Sequence, residues 1–136
     1  MAEKTRVVVS SGKRKTAVAR AVVRSGRGRI WINNIPVEIH EPFLARDKML
    51  EPIILARESA EKVDIRVEIA GGGVMGQAAA ARTAIARGLS LFHNSPELTK
   101  RFRQYDRLLL VNDDRRKLPK MQLGRGARKR RQKSYR

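Results

Sequence analysis

The sequence predicts an α+β fold, because stretches with the two-residue period of strands occur in the same chain as stretches with helical spacing. Residues 63–69 alternate apolar and polar side chains, and residues 16–24 place small apolar side chains on one face and two arginines on the other. Both stretches are predicted to be strands. Residues 42–60 and 74–93 repeat apolar side chains at intervals of three and four and are predicted to be helical. At 136 residues, the chain has enough sequence for one hydrophobic core.

Turn residues divide the N-terminal part of the chain into short strands. The β-branched run Val7–Val9 is followed by a predicted loop at Ser10–Gly12. The strand over 16–24 has its alanines on one face and a cationic stripe on the other. A further strand over 29–32 follows a turn, so residues 16–33 are predicted to form a β-hairpin with basic side chains at its tip.

The first two helical segments carry expectations about single residues. Pro52 is expected to split residues 42–60 into two short helices, because proline is tolerated only in the first turn of a helix. The helix over 74–93 has a small-residue apolar face, and Arg82 is expected among its outward positions.

A third helix is predicted to begin with Ser95 as N-cap and Pro96 at its first position. Its inward face is expected to include Tyr105. The hydrophobic pattern stops after Val111. We therefore predict a compact core over residues 1–110 and a long extended basic tail over residues 111–136.

The charge of the chain is concentrated at its two ends. The formal net charge is +18, with +8 in residues 1–30, +1 in residues 31–110 and +9 in residues 111–136. Charge of this density raises the affinity for polyanions. Arginine outnumbers lysine by 21 to ten, which favours bidentate and stacking contacts to phosphates and bases, so RNA is the first partner to test.

Other environments fit the sequence less well. The basic tail lacks the apolar face of an interfacial helix, no apolar run approaches the length of a membrane span, and residues 1–6 lack the apolar centre of a signal peptide. We therefore expect no membrane partner and a protein that stays in the compartment where it is made. The absence of cysteine is consistent with a reducing cytosol.

The stretch Gly71–Gly76 satisfies G-x-G-x-x-G between a predicted strand and a predicted helix. A dinucleotide site is disfavoured because no second parallel strand ending in an acidic residue follows. A P-loop is disfavoured because Gln77 and Ala78 stand where lysine and a hydroxyl residue are needed. Two interpretations stay open: a turn whose N–H groups contact an RNA phosphate, and a purely structural turn.

The sequence has few candidates for catalysis, and we expect neither an enzyme nor a cofactor or metal site. His40 and His93 are far apart and lie in no metal-ligand spacing. Asp113 and Asp114 directly precede Arg115 and Arg116, a pattern typical of local charge balance. Three glutamates are expected on a solvated helix face: Glu51, Glu58 and Glu61.

Two aromatic residues have opposite expectations. Trp31 lies between two isoleucines in a predicted strand, where a packing role is favoured over base stacking. Tyr135 has no core to join and is expected to stack or hydrogen-bond on a nucleic-acid partner.

Two stretches together resemble one family. SGKRKTAVARAVVRSGRGRIWIN at residues 11–33 and GGGVMGQAAAARTAIARGL at residues 71–89 resemble the ninth protein of the small ribosomal subunit, as does a basic terminus ending Ser134-Tyr135-Arg136. Because the bacterial branch more often ends Ser-Lys-Arg, Tyr135 indicates an archaeal or eukaryotic type.

The resemblance implies a fold and a set of partners. The fold would be a two-layer mixed sheet of about four strands with helices on one face, like the second domain of ribosomal protein five. The partners would be small-subunit ribosomal RNA in the head of the subunit, neighbouring head proteins and the transfer RNA in the peptidyl site, with no small-molecule substrate. The protein would be cytoplasmic and ribosome-bound.

The resemblance also implies roles for individual residues. The residues expected to contact transfer RNA are Lys133, Ser134, Tyr135 and Arg136. The residues expected to contact ribosomal RNA are Lys13, Arg14, Lys15, Arg20, Arg24, Arg27, Arg29, Gly71, Gly72, Gly73, Gln77, Arg82, Arg115, Arg116, Lys117, Lys120, Arg125, Arg128, Lys129, Arg130 and Arg131. The rival hypotheses are a non-ribosomal nucleic-acid binder and a small phosphotransferase built on the glycine turn.

Overall fold

A computed structural model describes residues 6–136. The prediction that residues 1–6 are not a signal peptide therefore concerns a segment that lies almost entirely outside the described residues. The strands are β1 (Val7–Arg14), β2 (Ala17–Ser25), β3 (Ile30–Ile32), β4 (Ile35–Pro36) and β5 (Val63–Ala70). The helices are α1 (Phe43–Ala56), α2 (Glu58–Glu61), α3 (Val74–His93) and α4 (Pro96–Tyr105). Single 3-10 turns occupy Val37–Ile39 and Arg107–Leu109.

The strands form one mixed sheet in the order β1-β2-β5-β3-β4. Strand β3 runs parallel to β5, and the other neighbours are antiparallel. Alternate residues of β2, including Ala17, Ala19 and Ala21, are completely buried. Their neighbours Arg20 and Arg24 are exposed. The helices therefore cover one face of the sheet and leave the other face open, which confirms the α+β class with a mixed sheet, although with five strands in place of about four.

Helix α3 packs against β1 and β2 at very close range because the contact is made of small residues. A Cβ placed on Gly12 would lie 2.1 Å from the carbonyl oxygen of Ala80, and one placed on Gly88 would lie 2.7 Å from Val23 Cγ2. The Ser10 hydroxyl donates a 2.7 Å hydrogen bond to the carbonyl of Ala84. The backbones can approach this closely only because these positions lack larger side chains.

This close contact explains why the predicted loop at Ser10–Gly12 is wrong. Strand β1 continues through these residues to Arg14. Serine and glycine are turn residues in most sequences. In this strand they are small residues that admit a helix.

The predicted β-hairpin over residues 16–33 is also wrong. Strand β2 pairs with β1 and β5, and β5 lies between β2 and β3. The connection after β2 therefore crosses the beginning of β5, where the Gly26 and Gly28 N–H groups donate to the carbonyls of Lys62 and Val63. A strand that comes from a distant part of the chain leaves no signal in the local pattern.

Two helical expectations need correction. Helix α1 is continuous through Pro52, which is fully buried within it. Burial of the proline ring in the core offsets the loss of one helical hydrogen bond. Tyr105, expected to face inward, is 56% exposed at the end of α4.

The other element predictions are confirmed. Helix α3 begins at Val74 and ends at His93, and β5 buries Val63, Ile65 and Val67 as their alternation predicts. Helix α4 begins at Pro96, with the Ser95 hydroxyl accepting a hydrogen bond from the Leu98 N–H at 3.4 Å.

We predict that Gly12→Ala lowers the free energy of unfolding by about 2 to 3 kcal/mol, because the added methyl group meets helix backbone that cannot rotate away. Gly126→Ala is the matched control, since a Cβ placed there has no atom within 4 Å. Its expected effect is within about 0.5 kcal/mol. Urea unfolding of both variants would measure the difference, and equal stabilities would contradict the proposed close contact.

Candidate nucleic-acid interface

Three groups of predicted RNA-binding residues meet at one end of the sheet. The turn between β1 and β2 contains Lys15, whose carbonyl accepts a 3.0 Å hydrogen bond from Arg116 Nη2. The Lys13 N–H donates to Asn112 Oδ1 at 3.2 Å. The glycine turn lies against the same turn, since a Cβ placed on Gly71 would be 2.6 Å from the carbonyl oxygen of Thr16. We call this end of the molecule, formed by residues 13–16, 71–77 and 112–116, the junction surface.

The glycine turn has a structural requirement of its own. Gly71 and Gly72 have φ values of +77° and +69°, which disfavour any residue with a Cβ. The Gln77 side-chain amide donates to the Gly71 carbonyl at 3.1 Å and closes the turn. These contacts support the structural interpretation for the first two glycines.

Gly73 differs from its two neighbours. A Cβ placed on it has no atom within 4 Å, and it caps α3 with extended backbone and without a side-chain hydrogen bond. The first N–H groups of a helix have no partner within the helix. Val74 and Met75 in that first turn are exposed. The prediction of a phosphate contact here is therefore compatible with the local geometry.

Asp113 organises the cations of the junction surface. Its carboxylate pairs with Arg14 Nη1 at 3.0 Å and with Arg115 Nη2 at 2.7 Å, and it accepts the Arg115 backbone N–H at 3.0 Å. The hydrogen bonds from Arg115 lower the pKa of the Asp113 carboxyl well below its ordinary value, so it stays ionised. Within the quartet Asp113–Arg116, the structure shows this charge balance for Asp113 with Arg115 and extends it to Arg14 on β1, whereas Arg116 donates to the Lys15 carbonyl.

Arg82 is not an outward residue. Only 8% of it is exposed, and its guanidinium forms ion pairs with Glu51 on α1 and with Asp106 at 2.9 Å. The sequence prediction fails because α1 and the segment after α4 cover the side of α3 that faces away from the sheet. Glu51 is correspondingly half-buried instead of solvated. The side chain of Arg82 therefore holds helices together instead of facing solvent.

A second basic region lies at the opposite end of β2, around Asp64. Its carboxylate accepts hydrogen bonds from the N–H groups of Arg27 and Arg29 at 2.9 and 3.0 Å, and from Arg29 Nη2 at 2.7 Å. The Arg29 guanidinium and the two N–H groups lower the pKa of Asp64 from 3.8 to about 2, against an opposing effect of burial. Gly26 is required beside it, because a Cβ would overlap the carboxylate carbon.

The open face of the sheet carries further exposed cations, among them Arg20 and Arg24 of β2. Arg66 of β5 lies on the same face, and sequence reasoning missed it although the alternation of residues 63–69 points it outward. Trp31 is half-buried on this face, with the Arg29 and Arg66 guanidinium groups 5.1 and 5.8 Å from its ring centre. Trp31 thus packs against cations rather than in the core.

The C-terminal segment after residue 116 forms no helix or strand in the structure. A turn near its middle joins Met121 and Gly126, whose carbonyl accepts the Met121 N–H at 3.3 Å. Tyr135 is 87% exposed. The predicted RNA ligands that are exposed in this segment are Lys117, Lys120, Arg125, Arg128, Lys129, Arg130, Arg131, Lys133, Ser134 and Arg136.

The contacts of the histidines do not indicate a catalytic or metal site. His93 Nε2 lies 2.8 Å from the Ser59 carbonyl oxygen, and the residues that the structure describes contain no cluster of three potential metal ligands. Within residues 6–136, none of the helices is long and apolar enough to cross a membrane.

Fold and surface define a class: a one-core α+β protein whose cations are displayed at both ends of a half-open sheet and along a C-terminal segment. The family model for ribosomal protein S9/S16 matches residues 12–136. The chain is 57% identical over 129 residues to small ribosomal subunit protein uS9 of Thermoplasma volcanium, covering 95% of this chain and 98% of the relative. It is 53% identical to the protein of that name from Desulfurococcus amylolyticus over all of this chain and 97% of the relative.

The chain therefore belongs to the ribosomal protein S9/S16 family. This confirms the resemblance drawn from residues 11–33 and 71–89, and the relatives are archaeal, in agreement with the predicted type. The family is a structural, non-enzymatic component of the ribosome, which confirms that the chain is not an enzyme.

We predict that Asp64→Asn destabilises the protein by about 1 to 2 kcal/mol near neutral pH, mainly through weaker hydrogen bonds to the two backbone N–H groups, since the Arg29 side chain is largely solvated. Because folding lowers the Asp64 pKa from 3.8 to about 2, its contribution is complete above about pH 4 and is lost as the pH falls towards 2.

Denaturant unfolding of the two proteins between about pH 2 and pH 7 measures this difference. Glu68→Gln on the same strand is the control, since Glu68 is exposed and makes no ion pair among residues 6–136. A stability gap between wild type and Asp64→Asn that did not narrow in acid would contradict the assigned role.

Proposed function

We propose that this chain is a structural constituent of the small ribosomal subunit that binds small-subunit ribosomal RNA in the head. The observation that carries the proposal is the family match, which includes the basic C-terminal segment as well as the core. The relatives from Thermoplasma volcanium and Methanothrix thermoacetophila are both named as small-subunit proteins, and the chain covers 98% and 99% of their lengths.

Binding would take place by electrostatic positioning without bond chemistry. Exposed arginines and lysines at both ends of the sheet, together with the segment after residue 116, would release counterions as they meet phosphates. The proposed ribosomal RNA ligands are those predicted from the sequence, with three exceptions. Arg82 is buried and paired, and the contacts of Gly71 and Gly72 support a structural role in the turn. Neighbouring proteins of the head would be further partners, and the protein would be cytoplasmic and ribosome-bound.

We also propose that the last four residues contact the transfer RNA in the peptidyl site. All four are exposed, and Lys133 and Arg136 are cationic. Ordering an extended segment costs roughly 1 to 2 kcal/mol per residue in backbone entropy, so many simultaneous phosphate contacts are needed to offset it. The density of cations between residues 125 and 136 supports such contacts.

A further proposal concerns the structural similarity of the fold to another ribosomal protein domain. We infer that the fold shares its architecture with the second domain of ribosomal protein five. The mixed sheet with one open face and the close glycine turn before α3 support this inference.

Affinity for small-subunit ribosomal RNA is predicted to depend strongly on salt. With six to ten phosphate contacts, binding should weaken by about 10³ to 10⁵ between 50 and 200 mM salt, by analogy with duplex DNA. Filter binding at several salt concentrations gives the slope. On small subunits isolated from cells, the protein should nevertheless remain bound after a high-salt wash. A promiscuous nucleic-acid binder would be removed by the same wash.

Deleting residues 134–136 is predicted to leave the core folded and assembly into the subunit largely intact, while it weakens transfer RNA binding in the peptidyl site. The core and assembly should be unaffected because the deletion leaves residues 1–133 in place, and transfer RNA binding should weaken because the deletion removes three of the four proposed contact residues. Purified subunits carrying the truncated protein would be titrated with transfer RNA. Arg103→Ala is the matched control, because it removes one exposed cation from α4, as the deletion removes one from the terminus. Equal affinity in both subunits would count against the transfer RNA contact.

A further inference from the structure

A small polar cavity of about 130 Å³ lies at the junction surface, where the end of β1 meets the middle of α1, the middle of α3 and residues 113–115. It is bordered by Thr83 and Leu108 on one side. Its charged lining consists of five cations and one carboxylate: Lys13, Arg14, Lys48, Arg82, Arg115 and Asp113. None of the lining side chains among the described residues is aromatic, so the cavity is not built for base stacking.

The three guanidinium groups of the cavity are held by carboxylates. Arg14 and Arg115 share Asp113. Arg82 is paired with Glu51 and Asp106, which approach from α1 and from the segment after α4. Three carboxylates thus balance three arginines.

The two lysines have no such balance. Within residues 6–136, neither Lys13 nor Lys48 has a carboxylate oxygen within 4.0 Å. Lys48 is also half-buried, although neighbouring cations repel it. The cavity therefore carries an excess of two positive charges, and an anion would relieve the repulsion between them.

The arrangement suits an oxyanion with several acceptor atoms. Asp113 is only 9% exposed and holds the Arg14 guanidinium, whose side chain is 23% exposed, before any ligand arrives. It also binds Arg115 through Nε and Nη2, although that side chain is largely exposed. Fixed guanidinium groups and flexible ammonium groups are the usual donors to phosphate oxygens. Because Arg14 is already oriented, little of its conformational entropy would be lost when such a ligand binds.

We propose that this cavity binds one phosphate group, with Lys13 and Lys48 as its unneutralised ligands and Asp113 as the residue that positions Arg14 and Arg115. This deepens the proposed function and rests on it, because a backbone phosphate of ribosomal RNA would supply the group. Residues 112–116 form one wall of the cavity, so a phosphate bound there would also set the direction in which the basic C-terminal segment leaves the core.

The first test uses inorganic phosphate as the probe. The melting temperature of the full-length protein is measured in phosphate and in chloride at equal ionic strength, for wild type, Lys48→Met and Lys100→Met. Methionine keeps the apolar stem of the lysine, and Lys100 is exposed on α4 outside the cavity lining. Phosphate should stabilise wild type and Lys100→Met and should stabilise Lys48→Met by less than half as much. The same increase in all three proteins would overturn the phosphate site.

The second test measures binding of small-subunit ribosomal RNA at several salt concentrations. Lys48→Met should make the fall of log affinity with log salt less steep by about 0.7 to 0.9, which is about a threefold difference in affinity change over a fourfold range of salt. Lys100→Met should leave the slope as in wild type. If wild type binds the RNA and both variants have the wild-type slope, the RNA phosphate is excluded while the proposed function stands.

The two tests separate the remaining cases. A smaller phosphate effect in Lys48→Met together with an unchanged RNA slope would assign the cavity to free phosphate. If wild type fails to bind the RNA at all, the proposed function fails, and the melting experiment still decides whether the cavity takes a phosphate group.

Discussion

The close approach of α3 to strands β1 and β2 is the constraint on which the rest of the structure depends. Gly12 and Gly88 leave no room for a side chain between helix and sheet, and Ser10 bonds directly to the helix backbone. Small side chains bury little area each, so the contact depends on many closely packed atoms along the length of the helix. Because α3 is also covered on its outer side, it is buried on nearly all sides and acts as the central element of the core.

Placing the helices on one face of the sheet leaves the other face and both ends for charged residues. Most of the positive charge therefore lies where water can solvate it, and a net charge of +18 is compatible with folding. Carboxylates hold several of the arginines in place: Asp64 at one end of the sheet, Asp113 at the other, and Glu51 with Asp106 around Arg82. These acids do not neutralise the surface. They orient guanidinium groups, and the ammonium groups of Lys13 and Lys48 remain without carboxylate partners among the described residues.

The cavity at the junction surface shows how one residue serves both folding and binding. Asp113 joins the start of the C-terminal segment to β1 through Arg14 and organises the cations that line the cavity. A core that only anchored a basic segment would not need the ion pair between Asp113 and Arg14. Asn112 and Arg116 are hydrogen-bonded to Lys13 at the end of β1 and to Lys15 in the turn that follows it. A ligand bound at the junction surface would therefore also restrain the start of the C-terminal segment.

Local periodicity in the sequence was enough to determine α3, α4 with its Ser95 cap, and the half-buried strands β2 and β5, since each of these patterns lies within one element. The basic ends were visible from the charge count, and the family was indicated by the resemblance of residues 11–33 and 71–89. Only the tertiary structure decided that β5 separates β2 from β3, that Ser10 and Gly12 belong to a strand, that Arg82 is buried, and that Lys48 faces a cavity with Lys13. Each of these features depends on a contact with a residue far away in the chain. The free energy of such a contact depends on the identity and position of that distant residue, and the local sequence pattern contains neither.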